Sequence, residues 1–235
     1  MLLFIHYTMD SLLLSIFEDL FDHNFANLQE KTKEYLALSN LRINRLMFKP
    51  TFIENFENIP GLFFIHNFLS PSEITFIHNK LPSINFEPIT LSTNSRRVAH
   101  FGYYYSYDRS CLEPAAPIPE YMKILLIPLK QNFDQMIINE YKPRQKITPH
   151  IDHPEQFGPI IACISIGQTV AIDFALGNVK KNIKVKSGSL YMMTADSRYK
   201  WKHGLTNSGP ENRYSLTFRS VDLSVKVVKH KCSHS

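Results

Sequence analysis

Arg213-Tyr-Ser-Leu-Thr-Phe-Arg219 alternates without a break. Successive side chains of an extended strand point to opposite sides. Arg213, Ser215, Thr217 and Arg219 therefore share one face, and Tyr214, Leu216 and Phe218 share the other. A polar interior row carrying two arginines opposite an apolar outer row is odd for a plain core. It is expected where the polar face closes on an anionic ligand. Strands are predicted over 135–141, 160–166, 169–175, 182–186, 189–194 and 213–221, with Gly167, Gly177 and Gly188 separating several of them. Many short strands after leading helices predict an α+β domain. Its core is expected to be a double-stranded β-helix, a jelly-roll variant, flanked by N-terminal helices.

Upstream of that strand lie His150-Ile-Asp152 and, much later, His203. On an extended strand His150 and Asp152 point to one face and Ile151 to the other. His203 must return from a different strand, which a closed β-structure permits. Two histidines and a carboxylate are the ligand set of a non-haem Fe(II) centre, because three protein ligands on one face leave positions open for a co-substrate and oxygen. Arg213 and Arg219 offer the cation that a dicarboxylate co-substrate needs. Asn139 and Tyr141 share a face at the end of Gln135-Met-Ile-Ile-Asn-Glu-Tyr141 and offer an amide and a phenol to the same ligand. Each piece alone is ordinary, since most His-x-Asp pairs are surface or loop residues and most buried histidines are satisfied core groups. Their order along predicted strands is what marks a site.

The 235 residues suffice for one large domain, or one domain with a small extension. A charged content of 20% with 44% apolar residues is that of a soluble globular protein. Cys111, Cys163 and Cys232 cannot form a disulfide framework. They point to a reducing compartment, cytoplasmic or nuclear, which also suits a ferrous ion. The apolar opening Met1-Leu-Leu-Phe-Ile5 lacks the basic flank of a signal peptide, and Asp10, Glu18 and Asp19 interrupt the apolar stretch. Met9 is a second plausible start. No run of 18 apolar residues occurs, so no membrane partner is expected. Residues 1–60 carry a net charge of −3 and the remainder +8, so the basic part holds the candidate site. Lys180, Lys181, Lys184 and Lys186 form one basic cluster and Arg198, Lys200 and Lys202 another. Such groups either contact nucleic-acid phosphates or simply solvate a face.

Leu12, Leu13, Ile16, Phe17, Leu20 and Phe21 predict an amphipathic helix from about Ser11, and a second helical stretch includes Lys31 to Leu38. Together they make residues 1–60 a helical extension that packs on the domain or binds a partner. Ser70-Pro71-Ser72-Glu73 is a capping-box start for a helix running to about Lys80, before Pro82. Another helix is predicted from Glu120 to Lys130. Between these helices, Arg96, Arg97, Tyr103 and Tyr105 either stack and clamp a base or pack as a tyrosine-rich strand. The basic tail, residues 223–235, holds His230, Cys232 and His234 and reads as flexible.

Over roughly residues 60 to 222 the sequence resembles the AlkB family. The matching text is Asn139-Glu-Tyr141-x-Pro143, Pro149-His150-x-Asp152, Ile164-Ser-Ile-Gly167, Ser197-Arg-Tyr199-x-Trp201-x-His203-Gly204 and Arg213-Tyr-Ser-Leu-Thr-Phe-Arg219. The Ser197–Gly204 text and Phe101-Gly-Tyr-Tyr-Tyr105 look most like the branch containing the tRNA-modifying homologue. The resemblance implies an oxygenase domain over 61–222. It implies His150, Asp152 and His203 as Fe(II) ligands, with Asn139, Tyr141, Arg213 and Arg219 around 2-oxoglutarate and O2 as oxidant. Arg96, Arg97, Tyr103, Tyr105 and Arg198 are the candidate substrate contacts. The expected activity is oxidation of an alkylated or modified nucleic-acid base, in DNA, RNA or a tRNA nucleoside, by a monomer. The alternatives are a protein-directed hydroxylase or demethylase and a non-catalytic nucleic-acid-binding module. DNA-repair members carry a second acidic residue two positions after the metal aspartate. Pro154 stands there and cannot take its role in recognising the base.

Overall fold

The computed structural model describes residues 25–92, 95–106 and 111–222. The helix expected from Ser11 and the tail after 222 lie outside them. Three antiparallel sheets form the body. The largest has seven strands in the order β1 (Leu62–Ile65), β11 (Leu190–Met193), β8 (Phe157–Gly167), β13 (Arg213–Val221), β6 (Gln135–Tyr141), β3 (Arg97–Phe101) and β2 (Glu87–Pro88). A four-stranded sheet runs β10 (Val179–Val185), β9 (Val170–Leu176), β12 (Lys202–Thr206) and β7 (Lys146–His150). A hairpin of β4 (Tyr103–Ser106) and β5 (Cys111–Pro114) stands apart. The two larger sheets face one another, as a jelly roll requires. No described helix is long and apolar enough to cross a membrane.

The alternation in β13 sets the layering. Leu216 and Phe218 join Met136 and Ile138 of β6 and Ala162 and Ile164 of β8 in one buried cluster. That cluster is covered by helices α1 (Phe25–Met47), α2 (Pro71–Lys80) and α3 (Glu120–Leu125). The row expected to face outward is therefore buried too. The large sheet is covered on both sides, and its second face meets the small sheet across Ile161, Ile172, Phe174, Ile183, Tyr191 and Leu205. The polar row of β13 looks into this inter-sheet space.

Helix α1 is longer than the stretch expected from Lys31 to Leu38, and its C-terminal end is anchored. Arg45 is 1% exposed and donates to the carbonyls of Phe68 at 2.7 Å and Leu125 at 3.2 Å. It pairs with Glu73 at 3.5 Å and lies over the rings of Phe48 and Phe68. Helix α2 starts at the expected capping box. The Ser70 hydroxyl accepts from the Glu73 amide and the Glu73 carboxylate accepts from the Ser70 amide. Helix α3 ends at Leu125, short of the expected Lys130. A 3-10 turn at Ile127–Leu129 takes over, because Pro128 has no amide to continue the α-helical ladder. A short helix α4 (Ala195–Tyr199) and strands β7 and β12 were absent from the predicted elements.

Candidate metal and co-substrate site

A cavity of roughly 340 Å3 opens between the two sheets. Strands β7 and β12 bring two of its histidines together. His150 pairs with His203 across the ladder, and their ring centroids lie 4.5 Å apart. A bulge makes this possible. The next pair is Ile147 with Leu205, so Thr148 and Pro149 both oppose Gly204. The extra residue lets His150 and Ile147, three apart, face the same interior. A Cβ on Gly204 would sit 2.7 Å from the Pro149 nitrogen and 2.8 Å from the Ile147 carbonyl oxygen. The bulge thus demands glycine immediately after His203. Asp152 lies just beyond the end of β7, not on the strand as expected from its two-residue spacing. One ligand atom from each of His150, Asp152 and His203 lies within 4.8 Å of the others.

The three groups are coupled electrostatically, each in its own direction. The Thr148 carbonyl can only accept, so His150 Nδ1 is the donor at 2.9 Å and Nε2 faces Asp152 Oδ1 at 3.2 Å. Burial opposes a charged His150, but the Asp152 hydrogen bond and carboxylate outweigh it and raise the pKa. For Asp152, burial pushes upward and is overcome by the charge of Arg219 and by both histidines, leaving the carboxyl far below its usual range. Arg219 Nη1 donates to Asp152 Oδ2 at 3.4 Å and its Nε to Gln135 Oε1 at 2.8 Å. Burial, followed by the charge of His150, lowers His203 to about 4, so it is neutral at pH 7. Its Nδ1 is buried without a hydrogen-bond partner.

Arg213 occupies another part of the same cavity, between Tyr141 of β6 and Gly167 of β8. It is 1% exposed, and its guanidinium lies 5.3 Å from the Tyr141 ring centroid. Only Nε has a hydrogen bond, to Ser165 Oγ at 3.4 Å, while Nη1 and Nη2 are buried and unmet. Buried donors of this kind are expensive to leave unpaired, so two parallel ones call for a carboxylate. Asn139 and Tyr141 line the cavity as expected, and Asn139 Oδ1 accepts from Arg96 Nε at 3.1 Å.

The substrate candidates divide. Arg96 and Tyr105 line the cavity, Tyr105 packing 5.4 Å from Phe157. Arg97 does not, because its guanidinium is taken by the buried Glu140 at 2.5 Å. Tyr103 does not line it either. Its carbonyl accepts from Gln135 Nε2, so its backbone supports the Gln135–Arg219–Asp152 chain from behind. Arg198 corrects the expectation most clearly. It is 2% exposed and donates to four backbone carbonyls, those of Asp152, His153, Phe157 and Gly158. A guanidinium so enclosed meets no phosphate; it fixes the loop that carries Asp152. Sequence reasoning missed Tyr191 and Cys163, which also line the cavity, and Tyr191 is raised well above its usual pKa by burial and then by Cys163. A tyrosine or cysteine in an apolar strand looks like ordinary core, so nothing local marks them.

The profile of the 2OG-Fe(II) oxygenase superfamily matches residues 61–219. The tRNA (carboxymethyluridine(34)-5-O)-methyltransferase alkbh8 of Xenopus tropicalis is 31% identical over 161 residues, covering 63% of this chain and 25% of the relative. Its Mus musculus counterpart is 29% identical over 212 residues, covering 77% and 32%. The chain thus spans about a quarter to a third of the length of these relatives. Among solved structures, that of OsALKBH1 superposes with a TM-score of 0.55 at 15% identity over 68% of this chain and 97% of the other, a likeness of fold.

Proposed function

Since this chain belongs to the 2OG-Fe(II) oxygenase superfamily, we propose that it oxidises an alkylated or modified base of RNA. In this reading His150, Asp152 and His203 hold Fe(II). Arg213 grips the far carboxylate of 2-oxoglutarate with Tyr141 beside it, and Arg219 keeps Asp152 ionised and aimed. The residues fit these groups on their own chemistry. Two imidazoles and a carboxylate converge, and the buried polar atoms of the set without a partner are Arg213 Nη1 and Nη2 and His203 Nδ1. The observation that carries the reading is the pairing, in one cavity, of that triad with a buried guanidinium lacking a counter-ion. When bound, iron with 2-oxoglutarate and O2 supplies oxidation of a C–H bond, with succinate and CO2 as by-products. The protein contributes position and dryness. Ile137, Ile147, Ile172 and Leu205 line the chamber, and neutral His203 presents a lone pair at pH 7.

RNA is favoured over DNA by the tRNA-directed names of the two relatives matched across this segment, and by Pro154 at the position where repair members hold an acid. The test is mass spectrometry of nucleosides from tRNA and from alkylated DNA, before and after incubation with protein, Fe(II) and 2-oxoglutarate. Loss or oxidation of a modified tRNA nucleoside, with stoichiometric succinate, is expected. Turnover confined to DNA, or seen only with protein substrates, would overturn the RNA assignment.

A further inference from the structure

We propose that the outward face of the four-stranded sheet is a docking surface for the phosphodiester backbone of RNA. This rests on the RNA reading above and adds a second contact region, separate from the cavity.

The register defines the face. Inward-pointing His203, Phe174, Ile172 and Ile183 alternate with outward neighbours along β12, β9 and β10. One outward row runs Lys202, Ala175, Lys180 across those three strands. Another, four residues along, carries Lys146 of β7 opposite Thr206 of β12, and Ala171 of β9 opposite Lys184 of β10. Lys146, Lys180, Lys184 and Lys202 are all exposed. None of the four has an ion-pair partner among the described residues. Between them, the two outer rows hold only the small side chains of Ala171, Ala175 and Thr206, and Gly204 stands in the row between. The central row holds an acid, Asp173, whose Oδ1 accepts from Asn182 at 2.7 Å.

Strand spacing makes the rows about 10 and 14 Å wide at the Cα atoms, and four residues of rise set them about 13 Å apart. The result is a flat, low floor with an ammonium group near each corner. Four like charges stand around a floor of Ala, Gly and Thr whose central acid, Asp173, is hydrogen-bonded to Asn182, and leave room for a broad polyanion to lie close. The face is continuous with the catalytic chamber through β7 and β12, whose inward side carries His150 and His203. Lys202 directly precedes His203. A strand whose base enters the cavity would therefore run its flanking phosphates over this edge.

Each phosphate neutralised releases counterions, so the salt dependence of binding counts contacts. Affinity of the full chain for unfractionated tRNA would be measured by fluorescence anisotropy across a salt series. Wild type is compared with Lys146→Gln/Lys180→Gln/Lys184→Gln/Lys202→Gln. The slope of log affinity against log salt should fall by about 3, and affinity near 0.1 M salt should drop roughly 100-fold. Lys→Arg at the same four positions keeps the charges and should restore both. Removing four exposed lysines elsewhere (Lys33, Lys49, Lys123 and Lys130, each to Gln) should leave the slope alone. A slope unchanged in the first variant overturns the docking surface while tRNA binding by wild type keeps the RNA reading. Wild type that binds no tRNA overturns both. Competition by polyglutamate as strong as by tRNA would give the face to an acidic protein segment instead.

Discussion

Arg213, buried, and His100, half-buried, show how single groups convert position into measurable chemistry. Arg213 buries two guanidinium nitrogens that no protein acceptor meets. A charge-assisted hydrogen bond contributes about 1.5–3 kcal/mol. Arg213→Ala should therefore raise the 2-oxoglutarate KM for succinate release about 10- to 100-fold, while leaving metal affinity within a few-fold. His100 is lowered to about 4 by burial and then by the charge of Arg219. Its unfolded value is near 6.5, so the unfolded chain binds the extra proton first. The stability this represents is present above pH 6.5 and drains away as pH falls toward 4, by up to about 3 kcal/mol. Urea midpoints of metal-free protein between pH 7.5 and 4.5 should fall less steeply in His100→Phe than in wild type. The residue types of the proposed metal and co-substrate groups could be picked out in the sequence, because His-x-Asp and the two arginines are chemically unusual on strands. Arg198 was not. A surface cation and a cation that braces carbonyls look alike until the chain folds around them.

Among the elements, the β7–β12 pair carries the most consequence. Periodicity alone places residues 147 and 150 on opposite faces; the bulge opposite Gly204 puts both inside. Gly204→Ala forces a Cβ against Pro149 and Ile147. It should weaken Co(II) or Fe(II) binding at least tenfold, with far-UV circular dichroism little changed; unaltered metal affinity would refute the role given to the bulge. Both strands are illegible in the sequence because they are only five residues long, and β7 contains Pro149. Longer strands, such as β6 and the cleanly alternating β13, were legible to the residue. The capping box of α2 was equally plain, because its two hydrogen bonds are local and need only four adjacent residues.

At the scale of the whole molecule, the order of strands was beyond the sequence, since neighbours such as β1 and β11 lie far apart in the chain. Binary pattern announces a buried face but not which partner buries it. That is why the apolar row of β13, read as outward, proved to lie under helices. One long-range tie holds those helices to one another. Arg45 joins α1 to the start of α2 and to the last residue of α3. Arg45→Met leaves Glu73 without its buried cation and two carbonyls without a donor. It should cost about 3 kcal/mol in denaturant unfolding and speed proteolysis within residues 25–47. Wild-type resistance in that variant would show the helix is held by its apolar contacts alone.

The guanidinium of Arg198 has a further effect. All four of its bonds end on main-chain oxygens between residues 152 and 158, none on a side chain. The path of that segment is consequently insensitive to which amino acids decorate it. His153 lines the chamber and accepts from the Gln156 amide, whereas the exposed Pro154 and Glu155 can be exchanged without touching the four bonds that hold the aspartate's segment. A rim that tolerates such replacement above a fixed ligand allows substrate choice to be redesigned, or to drift, while the oxidising centre stays where it is.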